Sequence, residues 1–113
     1  MTNAPAQDVS ALLDWIVERL RTGYAPQKII LFGSYAYGTP DEGSDIDLLI
    51  IKDTPDRFID RWVDVQRVLS DPKRLVPLEP LIMTPQEIEK RLARGDQFVA
   101  EILEKGVVLY AAA

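Results

Sequence analysis

Two short apolar runs separated by a fixed polar stretch constrain this chain most. Lys28-Ile29-Ile30-Leu31-Phe32 ends at Gly33-Ser34, ten residues intervene, and Asp45-Ile46-Asp47 then opens directly into Leu48-Leu49-Ile50-Ile51. Apolar runs of this length bounded by glycine and aspartate read as buried strands. If the two pair as antiparallel neighbours, the end of the first meets the start of the second, and Gly33-Ser34 faces Asp45 and Asp47. Residues two apart on a strand point to the same side, so the two aspartates project together while Ile46 enters the core.

Two carboxylates held side by side repel each other unless a cation lies between them. The chain has no histidine and no cysteine, so zinc or copper chemistry has no ligands here, whereas hard oxygen donors suit Mg²⁺ or Mn²⁺. Magnesium keeps part of its water shell and borrows phosphate oxygens, which points to a nucleoside triphosphate as the other ligand. Gly33 lets a phosphate approach the backbone, and Ser34 offers a hydroxyl and an N–H. A short helix over Ser34–Tyr37 would add an amino end that favours an anion. Taken singly, Asp-x-Asp at a strand start is more often a solvated turn than a metal site, and Gly-Ser is commonplace in loops; the spacing between two apolar strands joins them into a candidate site.

The remaining elements follow from periodicity and caps. Val9, Leu12, Leu13, Ile16 and Leu20 recur at helical spacing, with Asp8 as a start cap and Gly23 as a stop. Thr54-Pro55 reads as a cap and first-turn proline before a stripe of Phe58, Trp62, Val65 and Leu69, which assigns Trp62 to the core. Arg57, Arg61, Arg67 and Arg74 read as solvated, or as one reaching a phosphate. Tyr35 and Tyr37 read as packing on the sheet, with base stacking or self-modification as the alternative. Asp41, Glu42 and Ser44 read as solvated turn formers. Thr84-Pro85-Gln86-Glu87 is a capping box opening a helix that Gly95 stops; Asp96 caps a further helix that Gly106 closes before the strand Val107–Tyr110. Helices alternating with strands give an α/β or α+β fold with a small mixed sheet packed by helices.

A length of 113 residues predicts one domain over 1–113, with 1–7 and 111–113 flexible and no room for a separate acceptor-binding domain. The acceptor is then expected to be a macromolecule or a docked partner. A net charge of −5 argues against general nucleic-acid binding. The lack of cysteine favours a cytoplasmic setting, and Asp14 and Glu18 interrupt the apolar start, which argues against a signal peptide or a membrane span. Homo- or hetero-oligomers are both open.

The stretch GSYAYGTPDEGSDIDLLII, with Gly33-Ser34-x10-Asp45-x-Asp47 at its heart, resembles the signature of the minimal nucleotidyltransferases of the DNA polymerase β-like superfamily. The likeness continues through Leu78-Glu79-Pro80-Leu81-Ile82-Met83-Thr84-Pro85 and Phe98 to Tyr110. It implies Asp45, Asp47 and Glu79 as catalytic and metal-holding residues, and Gly33, Ser34, Asp45 and Asp47 as nucleotide-binding. Many small proteins of this kind resemble the antitoxin half of a pair with a HEPN-type helical protein, and some are similar to enzymes that move AMP from ATP onto that partner, here expected on a tyrosine hydroxyl. Glu79 departs from the family's usual aspartate, adding roughly 1–1.5 Å of reach against the strict octahedral geometry of Mg²⁺. It therefore reads either as a ligand or as a solvated edge residue. Pro80 removes a ladder donor and so predicts an edge strand or a bulge. The alternative to an enzyme is a catalytically weak nucleotide- or partner-binding module that neutralises a helical partner by contact.

Overall fold

Each apolar run forms a strand, and how the runs are connected decides their pairing. The computed structural model describes residues 4–38 and 44–113. In chain order these form α1 (Ala4–Gly23), β1 (Lys28–Phe32), α2 (Ser34–Tyr37), β2 (Ile46–Ile51), α3 (Phe58–Val68), β3 (Leu78–Met83), α4 (Pro85–Ala93), α5 (Gln97–Lys105) and β4 (Val107–Ala111). The strands make one mixed sheet in the order β3-β2-β1-β4. β1 is antiparallel to β2 and to β4. β2 and β3 are parallel, which demands a crossover, and α3 supplies it. The mixed sheet packed by helices matches the expectation from sequence, and β3 is an edge strand, where Pro80 deletes no interior hydrogen bond.

Alternation along the strands divides the core between two faces. Ile29 and Leu31 of β1 and Ile46, Leu48 and Ile50 of β2 pack with Ile16 and Leu20 of α1 and Val65 of α3. Ile30 and Leu49 pack on the other side with Met83, Ile88 of α4, and Val99 and Ile102 of α5. Leu48, Leu49 and Ile50 are fully buried, each worth about 1.5–3 kcal/mol of transfer free energy.

Local signals place most helix ends. The Thr84 hydroxyl accepts from the Glu87 N–H at 3.1 Å while a Glu87 carboxylate oxygen accepts from the Thr84 N–H at 2.9 Å, so the capping box is real. Asp96 accepts from the Val99 N–H and caps α5, and α1 ends at Gly23. α1 begins at Ala4, so Asp8 lies inside the helix and not at its cap. At the other end β4 includes Ala111, and the Ala112 N–H donates to the Gln27 carbonyl at 2.8 Å.

The phase of α3 differs from the sequence expectation. The Thr54 hydroxyl accepts from the Asp56 N–H and makes a local turn, and the helix starts at Phe58 with Pro55 outside it. Its buried line is Arg61, Val65 and Leu69, whereas Phe58 and Trp62 are 55% and 41% exposed. Trp62 is therefore not a core residue, and Arg61 is not solvated. The Arg61 guanidinium donates to both Glu87 carboxylate oxygens at 2.8 and 3.0 Å and to the carbonyls of Asp56 and Ile82. A buried cation is tolerated when its donors are satisfied in this way. The other arginines stay at the surface: Arg57 pairs with Asp60, Arg67 with Asp64, and Arg74 lies over the Trp15 ring at 4.8 Å.

Candidate active site

The strand registers bring the polar turn and the acids to one end of the sheet. Phe32 lies opposite Asp47 in the antiparallel ladder, so Gly33 leaves the sheet beside that aspartate. In the parallel ladder Asp47 lies opposite Glu79. Asp47 has the strand parity of Leu49, and Glu79 that of Leu81, both on the α4–α5 side of the sheet. Asp45, two residues before Asp47, shares that parity. The Asp-x-Asp pair and Glu79 are thus gathered on one face, beyond the part of it that α5 covers.

Gly33 is required here for two separate reasons. Its backbone sits at φ 76 and ψ −158, a region accessible almost only to glycine. A Cβ at this position would collide with the Asp47 Oδ2 and lie 3.0 Å from its Cγ. The turn and the carboxylate are therefore in direct contact. Ser34 starts α2, whose Ala36 and Tyr37 N–H groups donate to the Gly33 carbonyl. The Tyr35 hydroxyl donates to the Ser44 carbonyl at 3.5 Å, linking α2 to the residue before Asp45. Tyr35 packs against the core as anticipated, but Tyr37 does not, being 43% exposed. Asp41 and Glu42 lie outside the described residues.

Among the described residues, negative charge accumulates at this end. Burial first, then the Glu79 and Asp45 carboxylates, push the Asp47 carboxyl above its ordinary value. Asp47 is half-buried, while Asp45 and Glu79 are exposed. Among the described residues no three His, Cys, Asp or Glu side chains converge closely enough to hold a metal ion as they stand. The donor chemistry nonetheless fits a hard divalent cation: the acids supply only oxygen, the chain supplies no imidazole or thiol, and the buried carboxylate is the one whose charge is disfavoured.

Sequence reasoning passed over the wall facing the acids. Phe98, in the first turn of α5, meets Phe32 edge to face with centroids 5.7 Å apart and planes at 80°. The Asp96 cap fixes the helix start and sets Phe98 four residues before the buried Ile102, which gives its face of α5 but not the strand end it overhangs.

Comparison with known proteins identifies the family. Residues 13–109 match the family model of the nucleotidyltransferase domain. A Methanocaldococcus jannaschii protein provisionally named protein adenylyltransferase MJ1305 is 33% identical over 82 residues, covering 68% of this chain but 56% of its own length. A second from the same organism, MJ0604, with the same provisional name, is 36% identical over 84 residues, covering 74% of this chain and 78% of its own. This chain thus spans little more than half of the first relative. A solved toxin–antitoxin structure with AMP-PNP has a TM-score of 0.60 at 24% identity, over 88% of this chain and 73% of that one, a likeness of fold. With the match running from α1 to β4 and taking in both the glycine turn and the acids, the chain is a nucleotidyltransferase domain and belongs to that family.

Proposed function

We propose that this domain binds ATP with Mg²⁺ or Mn²⁺ and transfers AMP to a tyrosine hydroxyl of a HEPN-type helical toxin, acting as the cytoplasmic antitoxin of the pair. The observation that carries this reading is the register of Asp47, opposite Phe32 and hence beside Gly33 on one strand, and opposite Glu79 on the other. The provisional names of the two relatives support adenylyl transfer to protein. The toxin–antitoxin structure, with its ATP analogue, supports an adenine nucleotide and a toxin as partner.

In this reading the backbone at Gly33 approaches the phosphates, since no side chain intervenes, and the Ser34 hydroxyl and N–H donate to their oxygens. Asp45, Asp47 and Glu79 would hold the divalent ions. When bound, such ions neutralise the acids and lend Lewis acidity to the phosphate oxygens and the acceptor hydroxyl. Glu79 sits on an edge strand with its side chain exposed. A hydroxyl carried on a folded protein can therefore approach it from solvent, as a bulky acceptor requires.

The second reading, a module that binds nucleotide weakly and neutralises a helical partner by contact, is favoured by one observation. The three acids do not form a ready ligand cluster among the described residues, and Glu79 is the departure from the family pattern. Incubating the protein and the product of any adjacent HEPN-type reading frame with labelled ATP separates the two. Transfer should add one adenylyl group to the partner by intact mass. Glu79→Gln, which keeps size and loses charge, should cut it by roughly two to three decades while ATP binding survives. No transfer by the wild type, with neutralisation unaffected by Asp45→Asn, would leave only the contact module.

A further inference from the structure

A cleft of about 340 Å³ opens between the acid end of the sheet and α5. Phe32, Gly33 and Asp47 form its sheet side, Phe98, Glu101 and Ile102 its α5 wall, and Tyr37 of α2 completes the described lining. Its volume lies in the range of small-molecule sites. Phe98 is 56% exposed and Tyr37 43% exposed, so two large and largely exposed rings border this opening. The edge-to-face contact with Phe32 favours one orientation of the Phe98 ring.

The charges set the direction in which a ligand can lie. Among the described residues that line the cleft there is no lysine or arginine, and Glu101 adds a carboxylate at the α5 wall. Phosphates are repelled from that wall, whereas a neutral ring bearing N–H donors is not. With the cation of the proposed function held at Asp47, a ligand whose anionic tail lies at Gly33 would direct its uncharged end toward Phe98.

We propose that this cleft is the base subsite, in which Phe98 is the stacking platform for the purine of the bound nucleotide. The assignment rests on the proposed nucleotide site at Gly33 and Asp47. Aromatic stacking of a base is sequence-tolerant and, judged by alanine replacement, contributes from about fivefold to more than a hundredfold in affinity.

Calorimetric titration of the full chain in Mg²⁺ tests it, with ATP and with inorganic tripolyphosphate, for the wild type, Phe98→Ala and Phe98→Trp. The side chain is largely exposed, so Phe98→Ala should keep the wild-type far-ultraviolet circular dichroism. It should weaken ATP at least about fivefold and leave tripolyphosphate unchanged. Phe98→Trp should restore ATP binding, and its added indole fluorescence should be quenched by ATP and not by tripolyphosphate. Equal ATP affinity in the wild type and Phe98→Ala would overturn the base subsite and leave the nucleotide site standing. Equal weakening of both ligands would overturn it too, making Phe98 a support for the turn. If ATP affinity is unchanged and only the KM of a protein acceptor rises, the cleft takes the acceptor ring instead. A wild type that binds neither ligand would overturn the nucleotide reading itself.

Discussion

Replacing Gly33 by alanine tests the contact on which the whole site depends. The substitution forces an L-residue to φ 76 and ψ −158, a strain of about 1–3 kcal/mol. The new methyl also collides with the Asp47 Oδ2 and lies 3.0 Å and 3.2 Å from its Cγ and Cβ. Asp47 must then leave its rotamer, at about 0.5–1.5 kcal/mol. The total, about 1.5–4.5 kcal/mol, is less than the stability of most small domains, so the variant should remain folded. The two costs separate in a double-mutant cycle. In an Asp47→Ala background most of the collision is gone, and Gly33→Ala should then cost the backbone strain alone, a coupling of about 0.5–1.5 kcal/mol. Urea unfolding of the four proteins measures it, and calorimetry with ATP and Mg²⁺ should show Gly33→Ala impaired even where it is folded. A stability loss under about 1 kcal/mol with normal ATP binding would refute both the conformation and the contact.

Three other outcomes follow from the same geometry. ATP affinity should fall when Mg²⁺ is replaced by EDTA and when Asp47 becomes Asn; equal affinity in all three titrations would exclude a metal-dependent nucleotide site. Because burial, Glu79 and Asp45 raise the folded Asp47 carboxyl, the folded chain holds that proton more tightly than the unfolded one. Its contribution is full below the unfolded carboxylate value and is lost as pH rises through the raised folded one, so melting without metal from about pH 3 to 7 should show a loss that Asp47→Asn removes. Arg61→Ala should cost about 3 kcal/mol in urea unfolding, the low end for a buried pair because Glu87 is 43% exposed at its side chain. Arg61→Lys should recover only part of it, since one ammonium cannot reproduce the two parallel bonds to Glu87; full recovery would mean that the bidentate geometry adds nothing beyond charge and packing.

What could be read from the chain was what local rules determine. The strands β1 and β2, the capping box at Thr84, the α5 cap at Asp96 and the edge position demanded by Pro80 depend on residues adjacent in sequence. The phase of α3 was not of that kind. Its apolar residues fit two neighbouring stripes, and the choice between them is made by Glu87, 26 residues away, which satisfies Arg61. Thr54-Pro55 misled for a related reason: a threonine hydroxyl caps a helix or a turn equally well, and here it took the turn. At the site, the sharing of one end by Gly33 and Asp47 was legible from antiparallel pairing. That the exposed Phe98 would border it was not, because nothing local to α5 says which strand end it overhangs.

The acids do not align themselves. Asp47 is the one whose charge is disfavoured by its neighbours, and left to electrostatics β2 would shift to move it away from Glu79. The opposing force is apolar alternation. A slip of one residue would turn Ile46, Leu48 and Ile50, now packed with α1 and α3, to the opposite face. Each of these side chains is essentially buried and represents about 1.5–3 kcal/mol, so together they exceed what a half-buried carboxylate can lose by repulsion. The core thus holds the carboxylates in a position they would not choose alone, and under the proposed function a cation bound between them would relieve a strain that folding has already imposed.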